Sequence, residues 1–482
     1  MKDVLVYTFI YITYNIWFHP LREYSGPIWW AATPVPLTRT FMTGRSHETL
    51  LKLHKRYGDV VRIAPNELSY LHPAAWNDIM GHRKDGQEEN IHSPEFYNVA
   101  GSDNILSADR ERHARMRRLL SHGFSAARLR EQEPIINSYV DLLLLRLRQL
   151  CSPNGRTKIE LTSWYNFTTF DIIGDLTFGE SFHCLDGSNY HPMVKAIFDS
   201  LKYDAFLGTL GRFPRPIAKI ALMLLPSEVI KAKISNAAQA RRNVDKRLAL
   251  EKSRPDFADA MTRKAGSFIM TRDELYENSE ILMNAGSETT ATALSAATYF
   301  LATNPDALQR LTSEIRGAFA TESEINMLST EKLVYLKAVI EETLRAYPPL
   351  PTVLPRMIPP KGQEMMGRWV PGNTTVGVWQ WPMFHDERNF SKPFKFHPER
   401  WLGDERFAGD QKEALRPFSH GPRNCLGMNL AYSELRLILS RMLWTFDLEI
   451  SAESQGWLSH NAFLMWDKPP LHVYLTPRTS SV

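Results

Sequence analysis

Among the residues of this chain that could do chemistry, Cys425 has the most informative surroundings. Phe418, Gly421, Arg423, Cys425 and Gly427 are spaced as F-x-x-G-x-R-x-C-x-G. Pro417 precedes the stretch, and Leu426, Leu430, Leu437 and Ile438 recur beyond it at helical spacing, with Glu434 and Arg436 expected on the outward face. Cys425 is therefore expected where a turn enters a helix. The partial positive charge there favours the thiolate, the form of cysteine that ligates metals. Gly421 and Gly427 would let backbone approach a flat ligand, Phe418 would shield the sulfur, and Arg423 offers a fixed cation to an acidic edge. The competing reading is that Cys425 is a small buried hydrophobe, the usual state of a free cysteine. Cys151 and Cys184 are the only other cysteines, too distant for a disulfide framework or a C-x-x-C pair.

A shielded thiolate beside a flat, dianionic group describes a haem site. The motif, matched at its five fixed positions, resembles the haem-binding loop of the cytochromes P450, the haem-thiolate monooxygenases. That resemblance implies haem b with Cys425 as the axial iron ligand. Other stretches carry the same resemblance in family order. Ala285, Gly286, Ser287, Glu288, Thr289 and Thr290 make poor helix by propensity. They resemble the family's oxygen-binding groove, where the helix opens, the Thr289 hydroxyl holds the dioxygen hydrogen-bond network and Glu288 helps to deliver protons. Seven arginines stand between positions 110 and 130. Such a run is ordinarily a solvated helix face, yet His113 and Arg117 share one face at i and i+4. They resemble the family's W-x-x-x-R, whose residues bind haem propionates, with His113 in place of tryptophan. Arg356 resembles a further propionate arginine. Glu342 and Arg345 form an E-x-x-R, a spacing repeated at residues 251–254 and 413–416. Only the pair at 342 has apolar flanks and a following proline-rich segment, and in the family it binds an arginine like Arg400. Those three residues are expected to be scaffold.

Several other motifs fail. His47-Glu48 lacks a second histidine, because position 51 is Leu51, and Walker-type spacing at residues 362–367 is followed by Arg368 and Trp369. Neither G-x-S-x-G nor G-x-G-x-x-G occurs. A net charge of +4 over 482 residues argues against nucleic acid as a partner.

The elements that must position these residues read as mainly α with small β-sheets, in a single domain enclosing a buried haem. Helix is expected over residues 137–150 and 272–303, and strands near 59–63 and 374–379. Residues 1–18 hold a short apolar run expected to anchor the chain in a membrane, residues 19–36 a proline-rich hinge without helix, and residues 37–482 the catalytic domain. The resemblance implies insertion of one oxygen atom from O2 into a C-H or C=C bond of a medium-sized apolar molecule, of the kind found in fungal secondary metabolism. Electrons would come from a separate NADPH-cytochrome P450 reductase, with cytochrome b5 as a further donor, at the endoplasmic reticulum membrane with the domain facing the cytosol. A non-oxygenating isomerase or dehydratase, or a haem protein that only binds ligands, is the alternative. The substrate pocket is expected from residues 96–106, 282–285 and 349–353 together with Phe463 and Leu464.

Overall fold

The computed structural model describes residues 2–84, 86–97, 104–152, 155–213, 215–223, 226–250, 254–264 and 268–478. Its longest element is the central helix Arg272–Thr303. Thr271 and Glu274 form a reciprocal capping box at its start, and Asn304-Pro305 ends it, because proline cannot continue an i to i−4 ladder. The helix Leu161–Phe178 is buried almost all round. Among its buried polar side chains, Thr168 and Thr169 donate to Trp164 O and Tyr165 O, and Asp171 accepts from the N-H groups of Cys184 and Leu185. This helix packs along Arg272–Thr303. Gly286 permits that approach: a Cβ there would stand 2.6 Å from Ile173 Cδ1. The glycine thus serves a helix crossing.

The weak helix formers around Gly286 do not open the helix, which runs unbroken through residues 285–290. Their hydroxyls bond back to the preceding turn instead, Ser287 to Met283 O and Thr289 to Ala285 O, each at 2.8 Å. Ala126–Leu150 encloses the expected helix at 137–150 and buries Ile136, Val140, Leu143, Leu144 and Leu147 at helical spacing. Met428–Thr445 follows Cys425. Glu434 does not face outward there. It is 2% exposed, because this helix is packed by the central helix and by Ala126–Leu150.

A five-stranded sheet flanks the helices in the order Val60–Ala64, Glu67–Tyr70, Thr375–Val378, Arg356–Met357, Ile91–His92. The short strand Arg356–Met357 follows the proline cluster, which imposes extended backbone. A three-stranded sheet joins Thr157–Glu160, His472–Pro477 and Phe446–Ile450, and Gln363–Met365 pairs with Arg368–Val370.

At the N-terminus, the helix Lys2–Thr13 passes into π-helical Tyr14–Phe18 and exposes Leu5, Val6, Phe9, Ile10, Trp17 and Phe18. Among the described residues, no helix is long and apolar enough to cross a membrane. The segment 19–36 differs from the expected helix-free hinge: it contains Ile28–Ala32 and the start of Val35–Met42. Proline is tolerated in a first helical turn, where its missing N-H is not needed, and here Pro27 and Pro34 precede the helices while Pro36 sits in the first turn. The segment is docked, with Leu21 and Tyr24 buried and the Tyr24 hydroxyl donating to Trp369 O at 2.8 Å.

Glu342, Arg345 and Arg400 come together with no solvent exposure. Arg345 is bidentate to Glu342 at 2.9 and 2.8 Å, and its remaining N-H groups reach the carbonyls of Phe384, Pro393 and Lys395. Arg400 reaches Glu342 at 3.3 Å, and Trp401 Nε1 donates to the same carboxylate at 3.0 Å. The sequence did not disclose Asp410, which pairs with Arg400 and makes two carboxylates face two guanidiniums. Breaking such a buried set strands a charge. Asp410→Ala should therefore cost about 3–5 kcal/mol in urea unfolding, whereas Glu399→Gln, beside the half-exposed Arg310, should cost under about 1 kcal/mol.

Candidate active site

Cys425 lies between a one-turn 3-10 helix, Gly421–Arg423, and the N-cap Gly427 of Met428–Thr445. Its N-H donates to Phe418 O at 2.8 Å, closing the loop, and Asn424 N donates to Gly421 O at 3.1 Å. Gly421 has φ +77°, and a Cβ there would stand 1.8 Å from Met80 O. That glycine lets the loop pack on the Met80 backbone. A Cβ on Gly427 would meet only Phe124 Cε1 at 3.7 Å, so the space beside it is open. The Phe418 ring packs against Tyr432 with centroids 5.0 Å apart.

The three thiols differ in access. Cys151 and Cys184 are buried, while the Cys425 sulfur is solvent-accessible at the floor of a recess in the protein. The surrounding protein pushes the Cys425 thiol up, opposed by the Gly427 N-H and by the Arg117 charge. Desolvation here outweighs the helix-end effect read from the sequence, so the protein alone does not make the thiolate the preferred form. Among the described residues there is no group of three or more His, Cys, Asp or Glu able to hold a metal ion.

Four sequence-predicted residues surround this recess. Arg117, on the helix Arg110–Gly123, donates to Asn424 O at 2.8 Å and to Asn424 Oδ1 at 2.5 Å. Its fork is engaged in holding the residue before Cys425. His113, one turn earlier, is 6% exposed. Burial, then the charges of Arg423, Arg117 and Arg356, lower its pKa to about 3, which leaves a neutral imidazole. Arg423 donates to Glu89 Oε1 at 2.6 Å and to Ala108 O at 2.9 Å. Arg356 is 3% exposed and its Nε faces Met80 Sδ at 3.1 Å. Both keep a buried nitrogen, Arg423 Nη2 and Arg356 Nη1, with no hydrogen-bond partner among the described residues.

His92 escaped sequence reasoning, and Tyr97 was expected only as part of the pocket lining. His92 is the antiparallel strand partner of Arg356, and Tyr97 stacks on His92 with ring centroids 4.3 Å apart. The Tyr97 hydroxyl is also buried without a partner among the described residues, and the charges of Arg356 and Arg423 act on it. Only the strand register places these groups together, and a two-residue strand leaves no pattern to read.

Leaving such donors unpaired is costly, about 1–3 kcal/mol per group. Their chemistry fits the carboxylate edge of a flat dianionic group, with Cys425 accessible to its metal. The recess thus fits haem.

On the central helix, Ala285 is exposed and Thr289 is half-buried one turn on. Glu288, 2% exposed, contacts Lys468. Thr290 sits against Glu434, whose burial raises its pKa to about 8. Of the expected pocket, residues 98–103 lie outside the described residues. Thr352 Oγ1 donates to Leu464 O at 3.2 Å, joining two expected lining segments, while Val353 packs toward Gly377 and Trp379 in a separate apolar cluster.

Comparison with known proteins agrees with this geometry. The family model described as Cytochrome P450 matches residues 25–474. A trichothecene C-15 hydroxylase of Fusarium sporotrichioides is 46% identical over 478 residues, covering 98% of this chain and 96% of that protein. A cytochrome P450 monooxygenase of Aspergillus oryzae is 43% identical, covering 97% and 94%. An averantin hydroxylase of Dothistroma septosporum is 40% identical, covering 99% and 90%. With a family model spanning the fold and relatives matched nearly end to end, this chain belongs to the cytochrome P450 family of haem monooxygenases.

Proposed function

We propose that Cys425 would bind the iron of haem b, that Arg356, Arg423 and His113, joined by His92 and Tyr97, would bind its propionates, and that Thr289 and Glu288 manage protons in the same site. The observation that carries this reading is the pair of unsatisfied buried guanidinium nitrogens, Arg356 Nη1 and Arg423 Nη2, beside the one accessible thiol. Haem b, when bound, supplies the dioxygen activation and the oxidising power for inserting oxygen into a C-H or C=C bond.

The chain's own residues perform the remaining tasks. Arg117 fixes Asn424 and so the approach of the Cys425 sulfur, and its charge favours the thiolate. Neutral His113 has one N-H to donate and adds no charge to the surrounding guanidiniums. The Thr289 hydroxyl gives its proton to Ala285 O, which leaves its lone pairs as acceptors. It can therefore hold a water or a protonated group, and it must rotate before it donates. Gly421 and Phe418 shape and close the loop around the thiol, with Gly427 leaving room beside it.

The substrate of this reading is a medium-sized apolar secondary metabolite hydroxylated at an unactivated carbon. Trichothecenes and averantin are the first compounds to test, on the strength of the relatives' names. Electrons come from a separate NADPH-dependent flavoprotein reductase at the endoplasmic reticulum. The apolar residues exposed on Lys2–Thr13 and Tyr14–Phe18 anchor the chain in that membrane, where burial of their side chains is favourable.

The ferrous carbon monoxide complex should show the red-shifted Soret band of thiolate ligation, and Cys425→Ser should lose it while remaining folded; a band that survives the substitution defeats the assignment. Arg356→Met should weaken haem retention by about 1.5–3 kcal/mol, read by transfer to apomyoglobin, since a charged hydrogen bond is removed. Thr289→Ala should raise the share of NADPH electrons recovered as hydrogen peroxide, and Thr289→Ser should restore most of the coupling.

A further inference from the structure

Glu288 has a partner that the family motifs do not contain. Lys468 lies in the C-terminal segment between Trp466 and the strand His472–Pro477. Its ammonium contacts Glu288 Oε1 and donates to Thr292 Oγ1 at 2.7 Å. Both charged side chains are 3% exposed. The backbone on each side of Lys468 is fixed: Asp467 N donates to Asn461 O at 2.9 Å, and Pro469 O accepts from Trp457 Nε1 at 2.9 Å. A flexible four-carbon side chain is thus delivered to one spot on the central helix. The second carboxylate oxygen, Glu288 Oε2, is buried and has no hydrogen-bond partner among the described residues.

We propose that Lys468 is the positioning residue of the acid: with Thr292 it holds Glu288 by Oε1, keeps it ionised between turnovers, and leaves Oε2 as the oxygen that takes up and hands on each proton. The inference rests on the proton-managing reading of Glu288 given above. The step is a proton transfer alone. Oε2 gains a proton from a hydronium ion of the solvent, which leaves as water, the carboxyl group gives that proton to the reacting centre, and the carboxylate returns to its ion pair with no change of oxidation state.

Charge and burial support this arrangement. A lone carboxylate at this depth would be desolvated and would stay protonated, and so would be a poor relay. The adjacent ammonium reverses that preference. Burial lowers the Lys468 pKa to about 7, opposed by Glu160 from the end of the strand Thr157–Glu160. Glu160 is itself held by the N-H groups of Thr162, Ser163 and Leu471. The charges facing Lys468 are therefore Glu288 from the central helix and Glu160 from the sheet, and only Glu288 touches it. Each member of the pair depends on the other to remain charged.

The test compares haem-loaded wild type, Lys468→Met, Lys468→Arg, Glu288→Gln and the Lys468→Met/Glu288→Gln double variant, with the carbon monoxide band confirming a folded site. Infrared difference spectra at neutral pH should show a protonated-carboxyl band in Lys468→Met that wild type and Lys468→Arg lack and that the double variant loses. With the flavoprotein reductase and no added substrate, the peroxide recovered per NADPH should rise about twofold or more in Glu288→Gln and in Lys468→Met, and no further in the double variant, as expected of residues acting as one unit. If Lys468→Met does not fold, Lys468→Gln and Thr292→Val provide the same comparison. Absence of the carboxyl band in every folded Lys468 variant overturns the proposal. A Glu288→Gln variant with an unchanged peroxide share overturns the relay reading itself, even where the infrared band confirms the ion pair.

Discussion

The structure is organised around a local surplus of positive charge. Three guanidiniums, those of Arg117, Arg356 and Arg423, act on buried His113, and Glu89 is the carboxylate bonded to one of them. Like charges at this depth repel in a medium that screens them poorly. The cost is held by unrelated packing: Arg356 is fixed by strand pairing, Arg423 by the carbonyl of Ala108, and Arg117 by Asn424. Neutral His113 limits the surplus. A dianionic cofactor bound there would remove it, and to the extent that it binds the folded chain in preference to the unfolded one, its binding would add to stability. The recess is therefore less favourable as protein alone than as holoprotein, and the large apolar core under the helices must carry that difference.

The same accounting separates scaffold from site. Arg345 and Arg400 are as deeply buried as Arg356, yet their donors are engaged by Glu342, Asp410 and backbone carbonyls. Arg356 and Arg423 each retain a buried nitrogen without a partner among the described residues. Burial alone does not distinguish the two groups. Whether the hydrogen bonds close within the chain separates these two sets, because a buried donor left open next to an accessible thiol is available to a bound group.

That criterion also explains what the sequence could reveal. The central helix was readable to the residue, because a capping box and an Asn-Pro stop are local signals. The place of Cys425, where a turn enters a helix, was readable because its neighbours are contiguous. Asp410 was hidden, being ten residues from Arg400 with no periodicity linking them, and His92 was hidden because only a two-residue strand register sets it beside Arg356. Glu434 misled for another reason. Its outward placement assumed a helix with one solvated face, whereas this helix is packed on two sides and its carboxyl group is kept neutral by burial. Gly286 and Gly421 make close approaches to Ile173 and to Met80 O, contacts that lie far away in sequence.

Charge balance thus divides the buried ionic groups into three kinds. The Glu342 set is closed and neutral, so nothing about it needs to move. The arginines near Cys425 are open and positive, which suits a permanent anionic cofactor. Glu288 and Lys468 are neutral as a pair, but one carboxylate oxygen remains unsatisfied. A closed pair would be too stable to exchange protons, and an unpaired acid at this depth would remain protonated. Neutralising the charge while leaving one acceptor free satisfies both demands. It also places the ammonium on a segment remote in sequence from the helix it serves, where no local motif would reveal it.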